Sequence, residues 1–411
     1  MDKKRVVVTG MGMVSPCGDS VEKVWDKIIN GDHLFSKLDS KRAKETSISL
    51  AGEIPELNTE EYFSKREARK MDKFVQYAMI ASTQAIKDAK LNLDSIDNHR
   101  FGVIIGSQFG GVHTWEEQMH LLYDRGPKKV SPFFIPMMIV NMATGQVSMN
   151  FGAKGPNNTP VTGMCSGSNA IGDAYNQILN NSADIMLCGG SDAAISSPLL
   201  GGYMSQGLVS NKENGNYICQ PFTEESSGFV MSEGSGVLLL ESLDHAKERN
   251  ADIYCEIVGY GSSIGLDKES ATPSVKGMVT SVESALMDAQ LDFKSIQYIN
   301  ASGIGVASLD SRELDSLKSL LEKYEHDLHI SSLKSVIGNF MGASGAIDSI
   351  ISINTLHHDL IPCDVYPSYE SIDSLILDQE ISESLEYVLN NTIDLSGFNT
   401  SLIFKRWRDN E

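Results

Sequence analysis

Short apolar runs that alternate with stretches of helical period constrain this 411-residue chain more than any other feature. Arg5 to Thr9 (RVVVT) is a β-branched run closed by Gly10, and it reads as a buried strand. Phe101 to Gly106 (FGVIIG) and Ile185 to Gly190 (IMLCGG) repeat that signal. Helical stretches stand between such runs: in Phe74 to Ala89 the apolar residues fall three to four apart. Strand, helix, strand in this order predicts crossover units and a largely parallel sheet. Gly236 to Glu241 and Ile253 to Gly259 are two more strands, joined by a helical stretch from Leu243 to Asn250. The pattern then restarts. Gly277 to Ala289 and Gly345 to His357 read as helices, and Ile296 to Asn300, Leu328 to Ser331 and Ser401 to Lys405 as strands. The second half therefore repeats the first in element order, though not obviously in sequence. Two similar α/β halves packed in one body are expected, since no low-complexity linker separates them. The length agrees, being more than one hydrophobic core usually fills.

Composition narrows the partners. Hydrophobic residues make up 41% and charged residues 21%, which is ordinary for a folded protein. The formal net charge of -20 disfavours nucleic acid or an anionic membrane as a partner for the surface as a whole. The N-terminus runs straight into a strand, with no apolar signal core and no long apolar span, so a cytoplasmic protein without membrane insertion is expected. The six cysteines (17, 165, 188, 219, 255 and 363) are scattered, with no CxxC and no zinc spacing. They read as thiols of a reducing compartment, and neither metal nor cofactor is expected.

One cysteine stands apart. Cys165 follows Val161-Thr162-Gly163-Met164 and precedes Ser166-Gly167-Ser168, with a helical pattern from Ser166 to Leu179. That places the thiol at a helix N-terminus among small residues. Free N–H groups and the helix dipole there favour a thiolate, and the same N–H groups could hold a developing oxyanion. A buried structural cysteine in a tight turn fits the local pattern equally well.

Longer runs carry a resemblance. RVVVTGMGMVSPCG opens the chain. DRGPKKVSPFFIPMMIVNMATGQVS spans 124–148, AKGPNNTPVTGMCSGSNAIGDA surrounds Cys165, and PFTEESSGFVMSEGSGVLLLESLDHAKERNADIYCEIVGYG spans 221–261. SSLKSVIGNFMGASGAID spans 331–348. Almost end to end, the chain resembles the β-ketoacyl-[acyl-carrier-protein] synthase family, in its long-chain elongating type II form. The resemblance implies a thiolase fold, with two related α/β halves in a five-layered αβαβα body that is usually dimeric. The halves would be 1–250, with inserted cap and dimer segments, and 251–411. It also implies that Cys165 accepts an acyl chain from a carrier protein, and that a lysine, here Lys334, and two histidines serve decarboxylation and carbon–carbon bond formation.

Both histidine segments depart from the family. Where the family has NAHGTSTPxGD, this chain reads Asn300-Ala301-Ser302-Gly303-Ile304-Gly305, so Ser302 takes the histidine's place. Where it has KSxxGHxxGAAG, this chain reads Lys334-Ser335-Val336-Ile337-Gly338-Asn339, so Asn339 takes the second. Neither replacement titrates near neutrality. Losing one preorganised donor to a developing enolate costs about 10²–10³ in rate, and losing two should leave a trace of condensation. The family's glycine-rich loop, like GFGGxN, reads Asp394-Leu395-Ser396-Gly397-Phe398-Asn399. Leu395 replaces its gating phenylalanine, and Asp394 and Ser396 replace glycines, so the loop should be stiffer or gate differently. An Arg-Asp pair has become Ser226-Ser227, while Phe229 of the substrate tunnel remains.

Two basic clusters stand out in so acidic a chain: Lys65, Arg66, Arg69 and Lys70, and Arg125, Lys128 and Lys129. By the resemblance they dock an acidic carrier protein. Together these features imply a ketosynthase-like subunit that has lost its condensing histidines. It would act as a partner of an active ketosynthase, in the manner of a polyketide chain-length factor. The retained Cys165 keeps open a cysteine-dependent acyltransferase that works without decarboxylation, or a weakly active synthase; the assembly expected is a heterodimer with an active ketosynthase, or a homodimer.

Overall fold

The structure, a computed structural model, describes residues 4–55, 57–210, 219–267, 272–326, 328–363, 376–377 and 379–408. The apolar runs of the sequence become ten strands of one sheet. They are β1 (Val6–Val14), β2 (Phe101–Gly106), β3 (Asn157–Asn158), β4 (Ile185–Asp192), β5 (Gly234–Ser242), β6 (Cys255–Ile264), β7 (Tyr298–Asn300), β8 (His329–Ser331), β9 (Tyr387–Ile393) and β10 (Phe398–Arg406). Their spatial order is β8-β7-β9-β10-β6-β1-β5-β4-β2-β3. Outward from the centre, β1-β5-β4-β2-β3 and β6-β10-β9-β7-β8 are equivalent. In each half the first three strands pair antiparallel and the last three parallel. The halves meet where Val6–Val8 of β1 pairs with Cys255–Ile257 of β6.

The sheet is therefore mixed, not largely parallel as the element order suggested. A strand buried on both faces reads as a continuous apolar run whichever way it points. β10 also runs longer than the expected Ser401–Lys405, because β9 and β6 pair with it on both sides.

Four helices build the layers: α1 (Lys73–Asp88), α2 (Ser166–Leu179), α3 (Val275–Ala289) and α4 (Ser344–His358). α2 and α4 pack on each other, and each touches strands of both halves, which makes them the central layer. The apolar residues of α4 explain that place, for the helix is buried from Ser344 through Leu356. α1 covers β1 in one half and α3 covers β6 in the other; α1 keeps a polar outer face, while α3 exposes Met287 beside its polar residues. This is the five-layered thiolase fold. No helix among the described residues is long and apolar enough to cross a membrane.

The duplication also sets where chemistry can lie. A short 3-10 turn leads into each central helix: Gly163–Cys165 before α2, and Met341–Ala343 before α4. The two turns touch, and Gly167 packs against the Gly342 carbonyl.

Candidate functional site around Cys165

Cys165 ends its 3-10 turn and directly precedes α2. Its side chain is wholly buried. Sγ lies 3.2 Å from the Thr392 carbonyl at the end of β9 and 3.3 Å from the Phe398 carbonyl at the start of β10. Two carbonyl acceptors suit a thiol, which donates, better than a thiolate. Burial pushes the Cys165 pKa well above its usual value, and the nearby Asp394 carboxylate adds to the rise. The thiolate expected at a helix N-terminus is thus corrected: burial and like charge outweigh the dipole here. The local amides are also engaged. The Met164 N–H donates to Asp394 Oδ1 at 2.8 Å, the Cys165 N–H to the Thr162 carbonyl at 3.2 Å, and the Ser166 N–H to the Gly163 carbonyl.

Ser302 and Asn339 reach the same neighbourhood from the second half. The Ser302 hydroxyl accepts from the Ile393 N–H at 3.2 Å, one residue from Thr392. Asn339 is fully buried. Its amide oxygen accepts from the Met341 N–H and the Ser344 hydroxyl, both at 2.9 Å, and its amide nitrogen lies 3.4 Å from Met164 Sδ. Both side-chain oxygens therefore accept hydrogen bonds from within the protein. Lys334 is buried with its Nζ 2.5 Å from both oxygens of Asp348. Its turn is tied to the Ser302 loop through Ser332, whose hydroxyl donates to the Gly303 carbonyl at 2.7 Å.

Phe229 is buried in an apolar cluster with Met164, Leu200 and Met341, edge-on to Tyr203 at 5.5 Å between ring centroids. Leu395 and Ser396 line a surface cleft of about 320 Å³ with Phe109 and Tyr203. Asp394 lines that cleft too, and its Oδ2 accepts from the Ser396 N–H at 2.7 Å. Residues 65, 66, 69, 70, 125, 128 and 129 are all exposed. Lys70 lies 5.3 Å from the Phe133 ring centroid, which brings the first basic cluster beside the segment that follows the second. Lys65 is ion-paired with Glu60 at 2.7 Å.

Three buried carboxylates also shape the site; of these only Asp310 falls in a quoted motif, as the last residue of the NAHGTSTPxGD-like segment. Glu313 accepts from the N–H groups of Ser302 and Gly303, both at 2.8 Å. Asp310 accepts from those of Phe222, Ile304 and Gly305. Burial pushes each of these two up to about 7 despite those bonds. Asp192, at the end of β4, binds Ser107, Gln108, Phe109 and Gly342, and burial pushes it up to about 6. The available signal was an acid at the end of an apolar strand, and two acids three apart at the start of a helix.

The two like halves, with a cysteine turn from one meeting the corresponding turn of the other, define a thiolase-fold ketosynthase body. Residues 3–246 match the Beta-ketoacyl synthase, N-terminal domain, and residues 254–365 the Beta-ketoacyl synthase, C-terminal domain. The chain belongs to the β-ketoacyl synthase family. It is 37% identical over 408 residues to a 3-oxoacyl-[acyl-carrier-protein] synthase 2 of Staphylococcus aureus, covering 98% of this chain and 99% of the relative. It is 35% identical over 413 residues to the synthase 2 of a Synechocystis species, covering 99% of both. Among solved structures, a type II PKS ketosynthase, in complex with its acyl-carrier protein and bound to a hexaketide, superposes with a TM-score of 0.88 at 29% identity, covering 99% of this chain and all of that one. The ishigamide ketosynthase/chain length factor superposes at 0.90 with 24% identity over 99% of this chain and all of that one, a likeness of fold.

Proposed function

We propose that this chain is a non-condensing ketosynthase-like subunit of a type II fatty acid or polyketide system, paired with an active ketosynthase. The observation that carries the reading is the fate of residues 302 and 339. No imidazole stands at either position, and neither replacement titrates near neutrality: Ser302 Oγ accepts from the Ile393 N–H, and Asn339 is wholly buried with its amide nitrogen 3.4 Å from Met164 Sδ. Condensation needs donors preorganised toward the enolate charge as it forms. The sheet edge supports the pairing. β3 ends the sheet with both residues exposed, and Phe133, Ile135, Ile139, Met149 and Val161 on flanking segments are exposed as well. An unpaired edge beside apolar surface is what a partner subunit would cover. The reading includes an acyl carrier protein docked on the basic clusters, and a cytoplasmic setting in keeping with six free cysteines.

The test is to purify the chain alone and with a ketosynthase encoded beside it. With acyl- and malonyl-carrier proteins, the lone chain should give no β-ketoacyl product, and the pair should purify as a 1:1 complex that condenses. A lone chain that condenses as a homodimer sinks the reading.

Retention of Cys165 favours a second reading, a cysteine-dependent acyltransferase. It requires that Cys165 can take up an acyl group at all.

A further inference from the structure

The environment of Asp394 bears directly on that requirement, and the role assigned to it below rests on the chain being a ketosynthase-like subunit. Asp394 sits in the four-residue turn between β9 and β10. Its N–H donates to the Phe398 carbonyl, and its own carbonyl accepts from the Gly397 N–H, both at 2.9 Å. The side chain is buried and points across to the other half of the molecule, where Oδ1 accepts from the Met164 N–H at 2.8 Å. It packs tightly there: a Cβ on Gly163, whose φ is +61°, would lie 1.9 Å from Oδ1. The carboxylate thus fills the space over the cysteine turn and holds the Met164 amide, which faces out of that turn. The Cys165 and Ser166 N–H groups are held by Thr162 and Gly163 within that turn.

Acyl transfer to Cys165 has a simple balance. The sulfur attacks the thioester carbonyl carbon, and the carbonyl oxygen becomes an oxyanion. Collapse expels the carrier's thiolate, which takes up the proton lost by Cys165. The step needs a free thiol and donors for the oxyanion. At Cys165 an internal anion already holds one nearby donor, the Met164 N–H, and any oxyanion would form beside a carboxylate.

We infer that Asp394 is the residue that keeps Cys165 from accepting an acyl chain, by filling the space above the cysteine turn with a carboxylate. Cys165 is then an intact nucleophile held silent by a side chain from the opposite half. Like charges a few ångströms apart in a buried site repel strongly, and removing one also lowers the thiol pKa. A glycine at 394 would free the Met164 N–H and open the space over Gly163 at once.

The test compares the full-length wild type with Asp394→Gly and Asp394→Asn, with Cys165→Ala as the site control. Two readouts are used: the rate of carbamidomethylation by iodoacetamide at Cys165, and acyl-adduct formation from a decanoyl-carrier protein, both by mass spectrometry. Asp394→Gly should alkylate about tenfold faster than wild type, as expected for loss of one adjacent charge. It should also gain a Cys165 acyl adduct that wild type lacks. Asp394→Asn keeps the shape and loses the charge, so it should fall between. If Asp394→Gly does not fold, as judged by its thermal transition, the Asn variant alone decides, and alkylation no faster than wild type overturns the inference. Equal reactivity of wild type and a folded Asp394→Gly overturns it too. Malonyl condensation run in parallel separates the two ideas. Condensation by Asp394→Gly but not by wild type supports the inference and moves the cause of the lost condensation from residues 302 and 339 to Asp394, whereas condensation by wild type itself sinks the non-condensing reading. Equal alkylation with condensation by neither sinks the inference alone.

Discussion

At the residue scale, most of the firm positions are buried carboxylates with assigned partners. Glu241 of β5 is fully buried and accepts from Arg249 Nε at 2.8 Å, His245 Nδ1 at 2.5 Å and the Thr9 hydroxyl. Burial alone would raise its pKa. The bonds from Arg249, His245 and Thr9 outweigh burial and bring it from 4.5 down to about 2. A depressed carboxylate stabilises the fold above its unfolded pKa, and that stability is lost as pH falls toward the folded value. The gain is on the order of 3 kcal/mol, present above about pH 4.5 and lost progressively toward pH 2. Glu241→Gln should therefore be much less stable than wild type at pH 6, and the gap in urea midpoints should narrow by about half as pH falls to 3. A constant gap would assign the loss to packing instead. Cys165 shows what a single residue discloses in sequence. Its place at a helix start is local and legible in the small residues around it. Its protonation is not, because Thr392, Asp394 and Phe398, which decide it, lie more than 200 residues away.

At the element scale, the duplication rests on close helix-to-strand contact that only glycine allows. A Cβ at Gly12 of β1 would lie 2.0 Å from the Ala81 carbonyl oxygen of α1, and one at Gly10 would lie 2.2 Å from that of Ala85. The second half repeats this: a Cβ at Gly261 of β6 would lie 2.0 Å from the Ser281 carbonyl oxygen of α3, and one at Gly259 2.4 Å from that of Ala285. Gly10-Met11-Gly12 and Gly259-Tyr260-Gly261 are thus the same device at equivalent strands. The sequence shows no repeat beyond element order, because two glycines around one variable residue are too short a signature to stand out. The mixed strand directions are hidden for a different reason, since a doubly buried strand carries no mark of its direction. Gly12→Ala and Gly261→Ala should each cost about 2–3 kcal/mol by forcing helix from strand, read as a lower urea midpoint at unchanged slope. Gly201→Ala is the control. It lies in the helix Ser197–Ser205 with open space around it, and should be neutral or stabilising by up to about 1 kcal/mol. A strand-glycine variant as stable as the control would remove close packing as the reason for these glycines.

At the scale of the whole molecule, a net charge of -20 sets the background against which any acidic partner must bind. A carrier protein of the same sign is repelled by most of this surface and can approach only where the field reverses locally. The Lys70–Phe133 contact sets the first basic cluster against the segment that follows the second, and Arg66, Arg69, Arg125, Lys128 and Lys129 are exposed. The docking proposed on that face has a test that separates location from total charge. Arg66→Glu with Lys128→Glu changes the net charge by the same amount as Lys276→Glu with Lys294→Glu, and the latter pair is also exposed. General repulsion would make both double variants bind a carrier protein equally poorly. Docking on the basic clusters should weaken the first about tenfold or more and leave the second near wild type, because direct charge contacts decay within a Debye length of about 10 Å. The salt dependence should divide them too. Wild type and the Lys276/Lys294 variant should lose affinity as salt rises, while the Arg66/Lys128 variant, already without those contacts, should respond less. Equal weakening of both would place carrier-protein contact outside this face.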